Sequence, residues 1–138
     1  IHDYDGQPFI LDLSAMWCGP CRAAAADVQR VQDEHSVDNL AYITLLIEDT
    51  EREPPLEDDL TTWKETFSIT DAPVLGGSRA LITSNPVETG DALYLQGWPT
   101  FYFFDSEMTM KGFSGIARRL KLIRPLPWNL VICLPRET

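Results

Sequence analysis

The chain of 138 residues has the length of one domain with a single hydrophobic core, and its 44% of apolar residues excludes a disordered protein. No apolar run approaches the length that a membrane-spanning helix requires. The formal net charge of -10 repels nucleic acid and anionic membranes, so we expect a protein that acts on proteins or small molecules and binds no nucleic acid.

The first part of the chain predicts a strand, a helix and a second strand. Residues 8–17, "PFILDLSAMW", form the nearly continuous apolar run of a strand that is covered on both faces. Pro20 suits the first turn of a helix, and the alanine-rich segment after it extends this helix to about residue 35. Residues 40–48, "LAYITLLIE", predict a second strand, which the connecting helix makes parallel to the first.

The middle of the chain predicts a loop, a helix and a short strand. Residues 48–59 are acidic and contain prolines, a pattern typical of a solvated loop. Apolar residues at helical spacing predict a helix at about 56–67, which places Trp63 and Phe67 in the core. "APVL" predicts a short strand after this helix. Glycines and a proline between residues 76 and 90 then predict a loop.

The last part of the chain predicts a hairpin and an irregular tail. Residues 99–105, "PTFYFFD", and 109–115, "TMKGFSG", are expected to pair as antiparallel strands. The tail, residues 117–138, contains "RPLPWNLVICLPRET", whose three prolines exclude a long helix, and "ARRLKLI" is compatible with a short basic helix. We therefore expect one domain over residues 1–138, with its core at 8–115.

The three cysteines, Cys18, Cys21 and Cys133, are too few for a disulfide scaffold and odd in number. A structural zinc site needs four ligands, which the chain does not group together, and a c-type haem attachment needs a histidine where Arg22 stands. We therefore expect no metal site. Cys133 is interpreted as a cysteine without a role, and an inert core pair remains the alternative for the other two.

Cys18 and Cys21 have the spacing of a redox pair. Cys18 immediately precedes the predicted helix, whose free N–H groups and positive dipole end stabilise a thiolate and lower thiol pKa values to roughly 3.5–7.5. Cys21 lies one helical turn further on, within reach of a disulfide. In such a pair the first thiolate attacks a substrate disulfide and the second resolves the mixed disulfide. We expect Cys18 to be exposed and Cys21 to be more buried.

"WCGPC", residues 17–21, follows a buried strand and opens a helix, and it resembles the active-site motif of the thioredoxin family. Asp12, six residues before the first cysteine, resembles the buried aspartate of that family, which implies that it accepts the proton of the resolving thiol Cys21. Burial raises the pKa of such a carboxyl group and makes it a base near neutral pH. A purely structural carboxylate is the alternative for Asp12.

"GWPTFYFF", residues 97–104, contains Pro99, which resembles the family's cis-proline before the hairpin strand. The resemblance implies that Trp98, Pro99 and Thr100 bind an extended substrate segment by strand addition. It also implies a substrate contact for the motif residues Trp17, Gly19 and Pro20. Trp98 stands where the family often has a smaller residue, and the alternative for its side chain is packing beside Trp17.

The resemblance covers about residues 8–115 and implies an α/β fold, a thioredoxin-like three-layer sandwich with a mixed central sheet and flanking helices. Residues 48–96 resemble the insert of extracytoplasmic, membrane-tethered thioredoxin-like proteins, and Gly115 resembles the glycine near the end of the last strand. The sequence departs from the family at Thr44, where a lysine near Asp12 is expected, and in its tail, where the final helix is replaced.

The activity that this resemblance implies is thiol–disulfide exchange. Cys18 is the expected nucleophile and Cys21 the resolving thiol, with no cofactor beyond their redox-active disulfide. Gly-Pro between the cysteines is the reductant-type pairing of the family, so the expected substrate is a protein disulfide. The expected electron source is an upstream reductase or a membrane donor, and the expected state is a monomer.

Two other functions stay open at this point. One is a non-enzymatic binding module with the same fold, and the other is a peroxide-reducing relative, although its Thr/Cys/Arg arrangement is not found in the sequence. The chain begins with Ile1 rather than Met, which suggests an upstream segment such as a signal peptide or lipoprotein anchor. An extracytoplasmic location is expected, with the cytoplasm as the alternative.

Overall fold

The computed structural model describes residues 2–87, 92–114, 120–122 and 131–133. In these residues the helices are α1 (Gly19–Ala25), α2 (Val28–Glu34) and α3 (Glu57–Thr66), and short 3-10 turns occur at His2–Tyr4, Ser36–Asp38 and Arg79–Leu81. The strands in chain order are β1 (Phe9–Ala15), β2 (Ala41–Glu48), β3 (Val74–Gly76), β4 (Ile82–Thr83), β5 (Leu93–Tyr94), β6 (Thr100–Phe104), β7 (Met110–Ser114), β8 (Leu120–Leu122) and β9 (Val131–Cys133).

The central sheet has five strands in the order β3-β2-β1-β6-β7. β1 is parallel to β2, and β2 is parallel to β3, as helical crossovers require. β6 is antiparallel to both β1 and β7, so the sheet is mixed and its last two strands form the predicted hairpin. None of the helices within the described residues is long and apolar enough to cross a membrane.

The two central strands are buried on both faces, because apolar residues occupy nearly every position of β1 and β2. Successive side chains of a strand point to opposite faces, so each strand contributes to two core clusters. One cluster includes Phe9, Leu11, Leu13, Ile43 and Tyr102. The other includes Ile10, Tyr42, Leu46, Trp63, Phe101 and both cysteines of the motif. The cysteines therefore pack against the second face of the sheet.

The first predicted helix is not continuous, and the expectation of one helix up to residue 35 is wrong. The chain forms α1 and α2, which are separated by a turn at Ala26 and Asp27. The Asp27 amide donates to the carbonyl of Ala24, three residues back, at 3.0 Å. This bond interrupts the i−4 pattern of an α-helix, and the second helix begins after it.

Helix α3 forms within one residue of its predicted bounds. Three acidic residues fill its first turn, where negative charge favours the helix dipole, and Asp59 Oδ2 accepts a hydrogen bond from the Leu56 amide at 2.8 Å. Trp63 is only 1% exposed, and its ring lies 4.7 Å from that of Phe67, centroid to centroid. Trp63 is a core residue as predicted, whereas Phe67 is half-buried at the edge of the core.

The segment predicted as a loop between residues 76 and 90 contains regular structure. It includes the 3-10 turn Arg79–Leu81 and β4, which pairs in parallel with β5 and forms a small second sheet. In the tail, β8 and β9 pair as antiparallel strands, so a helix in "ARRLKLI" is wrong for the described part of that segment. The alternation of Leu, Lys and Leu is typical of a strand. Gly115 and most of the tail lie outside the described residues.

Candidate active site

The cysteine pair lies at the junction of β1 and α1. β1 ends at Ala15, and Cys18 caps the helix with extended backbone angles, while Pro20 occupies its first turn. Cys18 and Cys21 form a disulfide with their Cα atoms 5.2 Å apart, and the Cys21 amide lies 3.1 Å from the Cys18 sulfur. The same amide is placed to donate a hydrogen bond to a thiolate at Cys18 after reduction. In the described residues, no group of metal-ligating side chains forms a metal site.

Both cysteines are buried, so the expectation of an exposed Cys18 is wrong. Cys18 is 3% exposed and Cys21 is fully buried. The disulfide itself removes surface from both sulfurs, and the rings of Trp17 and Trp98 pack against the core cluster that contains them. Cys18 is still the more accessible of the two, and the exposed residues Gly19 and Pro20 follow it directly.

The loop before β6 lies next to the cysteines. The Trp98–Pro99 peptide bond is cis, as predicted. Because β6 runs antiparallel to β1 and Thr100 is the register partner of Leu13, this loop reaches the end of β1 from which the motif starts. The Thr100 hydroxyl donates to the Gly97 carbonyl at 2.6 Å and thereby closes the turn. The Trp98 ring meets the Trp17 ring edge to face, 5.6 Å between centroids, as the packing alternative predicted.

Asp12 is a buried carboxyl group in the middle of β1. Its side chain is 1% exposed, and it accepts hydrogen bonds from the hydroxyls of Ser14 at 2.6 Å and Tyr42 at 2.9 Å. Burial raises the pKa of Asp12 to about 6, and the two hydrogen bonds oppose this shift because they favour the charged form. Ile10 and Tyr42 share their core cluster with Cys21, so Asp12 faces the same side of the sheet as Cys21.

Thr44 is the register partner of Asp12, at the position where a lysine was expected. The Thr44 side chain is 1% exposed, and its hydroxyl oxygen has no hydrogen-bond partner in the described part of the chain. Among the residues that the structure describes, Ser14 and Tyr42 are the polar groups that act on the pKa of Asp12, and neither is a cation. Two hydroxyl donors thus stand in place of a charged neighbour, and burial raises the pKa of Asp12 more than their hydrogen bonds lower it.

Trp17 is held on several sides by residues that sequence reasoning did not select. Its indole Nε1 donates to Glu48 Oε2 at 2.7 Å, and the other oxygen of Glu48 accepts from Arg79 Nε. The guanidinium carbon of Arg52 lies over the Trp17 ring, 4.2 Å from its centroid. Glu48 is 1% exposed although it begins the segment predicted as a solvated loop.

Comparison with solved structures decides the fold. The chain is similar to a thiol:disulfide interchange protein of the thioredoxin family from Chlorobium tepidum, with 19% identity and a TM-score of 0.62 over 82% of this chain and 72% of that one. It is also similar to a secreted Mycobacterium tuberculosis disulfide oxidoreductase homologous to E. coli DsbE, with 14% identity and a TM-score of 0.58 over 83% and 72% of the two chains. The chain has a thioredoxin fold. The exposed lipoprotein thioredoxin Etrx1 from Streptococcus pneumoniae is similar at 23% identity and a TM-score of 0.57, over 82% of this chain and 77% of that one. No protein-family model and no curated protein matches the sequence.

The thioredoxin fold confirms the predicted α/β class and brings the predicted site residues together. Cys18, Cys21 and Trp17 lie at the carboxyl end of β1, and the Pro99 loop lies beside them. Asp12 lies within β1, below this edge, on the face that the cysteines cover.

Of the residues that sequence reasoning missed, Glu48 follows from the arrangement of the sheet. Glu48 ends β2, and the carboxyl ends of neighbouring parallel strands meet at one edge of the sheet. An acidic residue that ends an apolar strand beside a redox motif was the available signal for Glu48. Arg52 and Arg79 gave no such signal, because Arg52 reaches Trp17 from the turn after β2 and Arg79 reaches Glu48 from a 3-10 turn.

Proposed function

We propose that the protein is a thiol–disulfide oxidoreductase that reduces protein disulfides, with Cys18 as nucleophile and Cys21 as resolving thiol. The observation that carries the proposal is a disulfide at the start of a helix, beside a cis-proline loop and above a buried carboxyl group. Solved proteins of the same fold whose names describe disulfide chemistry support it.

The first step is attack by the Cys18 thiolate on a substrate disulfide. One sulfur–sulfur bond of the substrate breaks, a mixed disulfide forms at Cys18, and a substrate thiolate leaves. The Cys21 amide, 3.1 Å from the Cys18 sulfur, stabilises the negative charge before attack. Cys18 is the nucleophile because it is the less buried of the two cysteines and caps the helix.

The second step requires Cys21 to lose its proton in an apolar environment. Asp12 accepts this proton, since its pKa of about 6 leaves it largely ionised at neutral pH while keeping it more basic than an exposed carboxylate. The Cys21 thiolate then attacks Cys18 and releases the reduced substrate. The two electrons that reduce the substrate come from the two thiols, which end as the Cys18–Cys21 disulfide.

The substrate segment binds beside the cis-proline. The side chain of Thr100 is buried and bonded to Gly97, so its contribution, like that of Trp98 and Pro99, is through the backbone that an extended peptide pairs with. Trp17, Gly19 and Pro20 form the opposite border of this site. The contact between the two tryptophan rings narrows the approach to Cys18, which favours extended segments over bulky folded surfaces.

The reductant direction follows from Gly-Pro between the cysteines, and an upstream reductase or a membrane donor recharges the pair. We place the protein outside the cytoplasm as a monomeric single domain. The secreted and lipoprotein relatives among the similar structures support the location, by analogy with what their names state.

Insulin reduction tests the proposed activity. With dithiothreitol as electron source, the wild-type protein should accelerate the precipitation of insulin chains, and Cys18→Ser should abolish the acceleration. A folded wild-type protein that leaves the rate at that of Cys18→Ser would instead identify a non-enzymatic module. Equilibration of the pair with glutathione then tests the direction, because a reductant requires a reduction potential near or below about -270 mV.

A further inference from the structure

Arg52 lies on a tight turn that directly follows β2. Asp49 holds this turn, because its Oδ1 accepts hydrogen bonds from the amides of Glu51 at 2.8 Å and Glu53 at 2.9 Å. The Asp49 amide in turn donates to the Glu53 carbonyl at 2.8 Å. The turn is therefore a defined structure although its composition is that of a solvated loop.

The backbone of Arg52 has a left-handed conformation, with φ of 69°. This conformation is unfavourable for a residue with a Cβ atom, and it persists where the surrounding structure enforces it, often at functional sites. Here it accompanies a guanidinium group that covers the Trp17 ring at 4.2 Å from the centroid. Trp17 precedes the cysteine pair directly, so the turn brings a cation to the border of the redox site.

Three carboxylates near Arg52 in the chain have other partners. Asp49 binds backbone amides, Glu51 accepts from the Thr50 hydroxyl at 2.7 Å, and Glu48 binds Trp17 and Arg79. Across the described residues, no carboxylate lies within ion-pair distance of Arg52. Arg52 lacks an acidic partner among these residues although the chain has more acidic residues than basic ones, 21 against 11.

A guanidinium group stacked on an aromatic ring keeps its N–H donors free at its edge. These donors match the two oxygens of a carboxylate, and stacking restricts the arginine before the ligand arrives. Arg79 adds a second guanidinium, which is connected to Trp17 through Glu48, and its side chain is 64% exposed. Arg52 covers the ring of the residue that directly precedes Cys18, so its guanidinium lies near the surface that a substrate crosses to reach this cysteine.

We propose that Arg52, assisted by Arg79, is a carboxylate-binding site that selects substrate proteins with an acidic residue next to the reactive disulfide. The proposal rests on the proposed function and specifies its substrate class. A surface with a net charge of -10 repels acidic partners at long range, so their recognition requires a local cation at the site of attack. Arg52 supplies this cation, and no carboxylate in the described part of the chain forms an ion pair with it.

The test uses three disulfide peptides that differ in one residue beside the cysteine: Glu, Gln or Lys. Stopped-flow tryptophan fluorescence gives the second-order rate constant of the fully reduced protein with each peptide at about 0.15 M salt, where charges more than about 8 Å away are largely screened. The wild-type protein should react about fivefold faster with the Glu peptide than with the Lys peptide, the range of an exposed ion pair, and the Gln peptide should lie between them. About 1 M salt should remove the difference.

Arg52→Gln should reduce the Glu-to-Lys ratio to less than about twofold, and Arg52→Lys should keep part of it because the charge remains but the planar fork is lost. Each ratio is taken within one variant, so a change in the reactivity of Cys18 cancels. Arg30→Gln is the matched control, since it removes the same charge from α2, where Arg30 pairs with Asp27 and Glu34, and its ratio should equal the wild-type ratio.

Two results would overturn the proposal: a ratio near one in the wild-type protein, or an undiminished ratio in Arg52→Gln. Bis(2-hydroxyethyl) disulfide, which is uncharged, separates this failure from failure of the proposed function. If the wild-type protein reduces this compound without a preference among the peptides, only the carboxylate site is wrong. If it reduces none of the disulfides, the proposed function fails and the carboxylate site fails with it.

Discussion

Replacement of Asp12 by asparagine should make the protein increasingly more stable, relative to the wild-type protein, as the pH rises from acid to above about 6. The Asp12 carboxyl is fully buried, and its pKa is raised from 3.8 to about 6 by that burial. Folding therefore favours the protonated carboxyl group. The stabilisation that protonation provides is complete below pH 3.8, the unfolded value, and is lost as the pH rises through about 6, the folded value.

The size of this effect follows from the two pKa values. The interval from 3.8 to about 6 corresponds to about 3 kcal/mol, since one pKa unit equals about 1.4 kcal/mol. The asparagine side chain of the variant does not ionise, so the stability difference between Asp12→Asn and the wild-type protein should grow by about 3 kcal/mol in favour of the variant over this pH range. Burial of the asparagine amide changes the stability of the variant by the same amount at every pH, so it does not alter the growth of this difference.

Urea unfolding of both proteins in their oxidised form, followed by circular dichroism between about pH 3.5 and pH 8, measures this difference. The oxidised form is chosen because disulfide-bonded Cys21 does not titrate. Asp5→Asn, at an exposed position before β1, is the control and should follow the pH dependence of the wild-type protein. A difference between Asp12→Asn and wild type that stays constant with pH would refute the assignment of a raised pKa to Asp12.

Three further substitutions test the surroundings of the site. Tyr42→Phe removes a hydrogen-bond donor to the Asp12 carboxylate, so the pKa of Asp12 should rise by about one unit. The rate at which reduced substrate is released, measured against pH, should then have a midpoint about one pH unit higher, and an unchanged midpoint would contradict the role of this hydrogen bond. Glu48→Gln should lower the free energy of unfolding by about 1–3 kcal/mol and alter Trp17 fluorescence, because it weakens a buried hydrogen bond to Trp17 and removes the charge that faces Arg79. Unchanged stability in urea together with unchanged fluorescence would show that Glu48 does not position Trp17. Trp63→Ala should cost about 3–5 kcal/mol, and a loss under 1 kcal/mol in the same assay would show that this core site collapses around the vacancy.

The sequence predicted the parts of the fold that depend on local pattern. β1 and β2 are continuous apolar runs, and the last hairpin has two strands joined by a short turn, so each was recognisable alone. The break between α1 and α2 was not, because alanines on its N-terminal side favour helix while the break depends on a backbone bond at Asp27. β4 and β5 have two residues each, too few for any periodicity to indicate a strand.

The candidate site was predictable as far as its motifs reach. Cys18, Cys21 and Pro99 belong to short motifs that carry their own chemistry, and the structure brings them together. The burial of Cys18 was not predictable, since Trp98, which packs against the same core cluster and against Trp17, comes from a distant part of the chain. Arg52 and Arg79 were missed because the conformation of the turns that carry them, rather than a spacing in the sequence, brings them to Trp17 and to Glu48.

The central claim is that Cys18 attacks substrate disulfides and Cys21 resolves the product. Its most direct test is mass spectrometry of Cys21→Ser after brief reaction with a disulfide peptide. The claim predicts a mixed disulfide between the peptide and Cys18 that persists in the variant and is resolved in the wild-type protein. Absence of this adduct in folded, reduced Cys21→Ser, or an adduct at Cys21 in Cys18→Ser with equal yield, would contradict it.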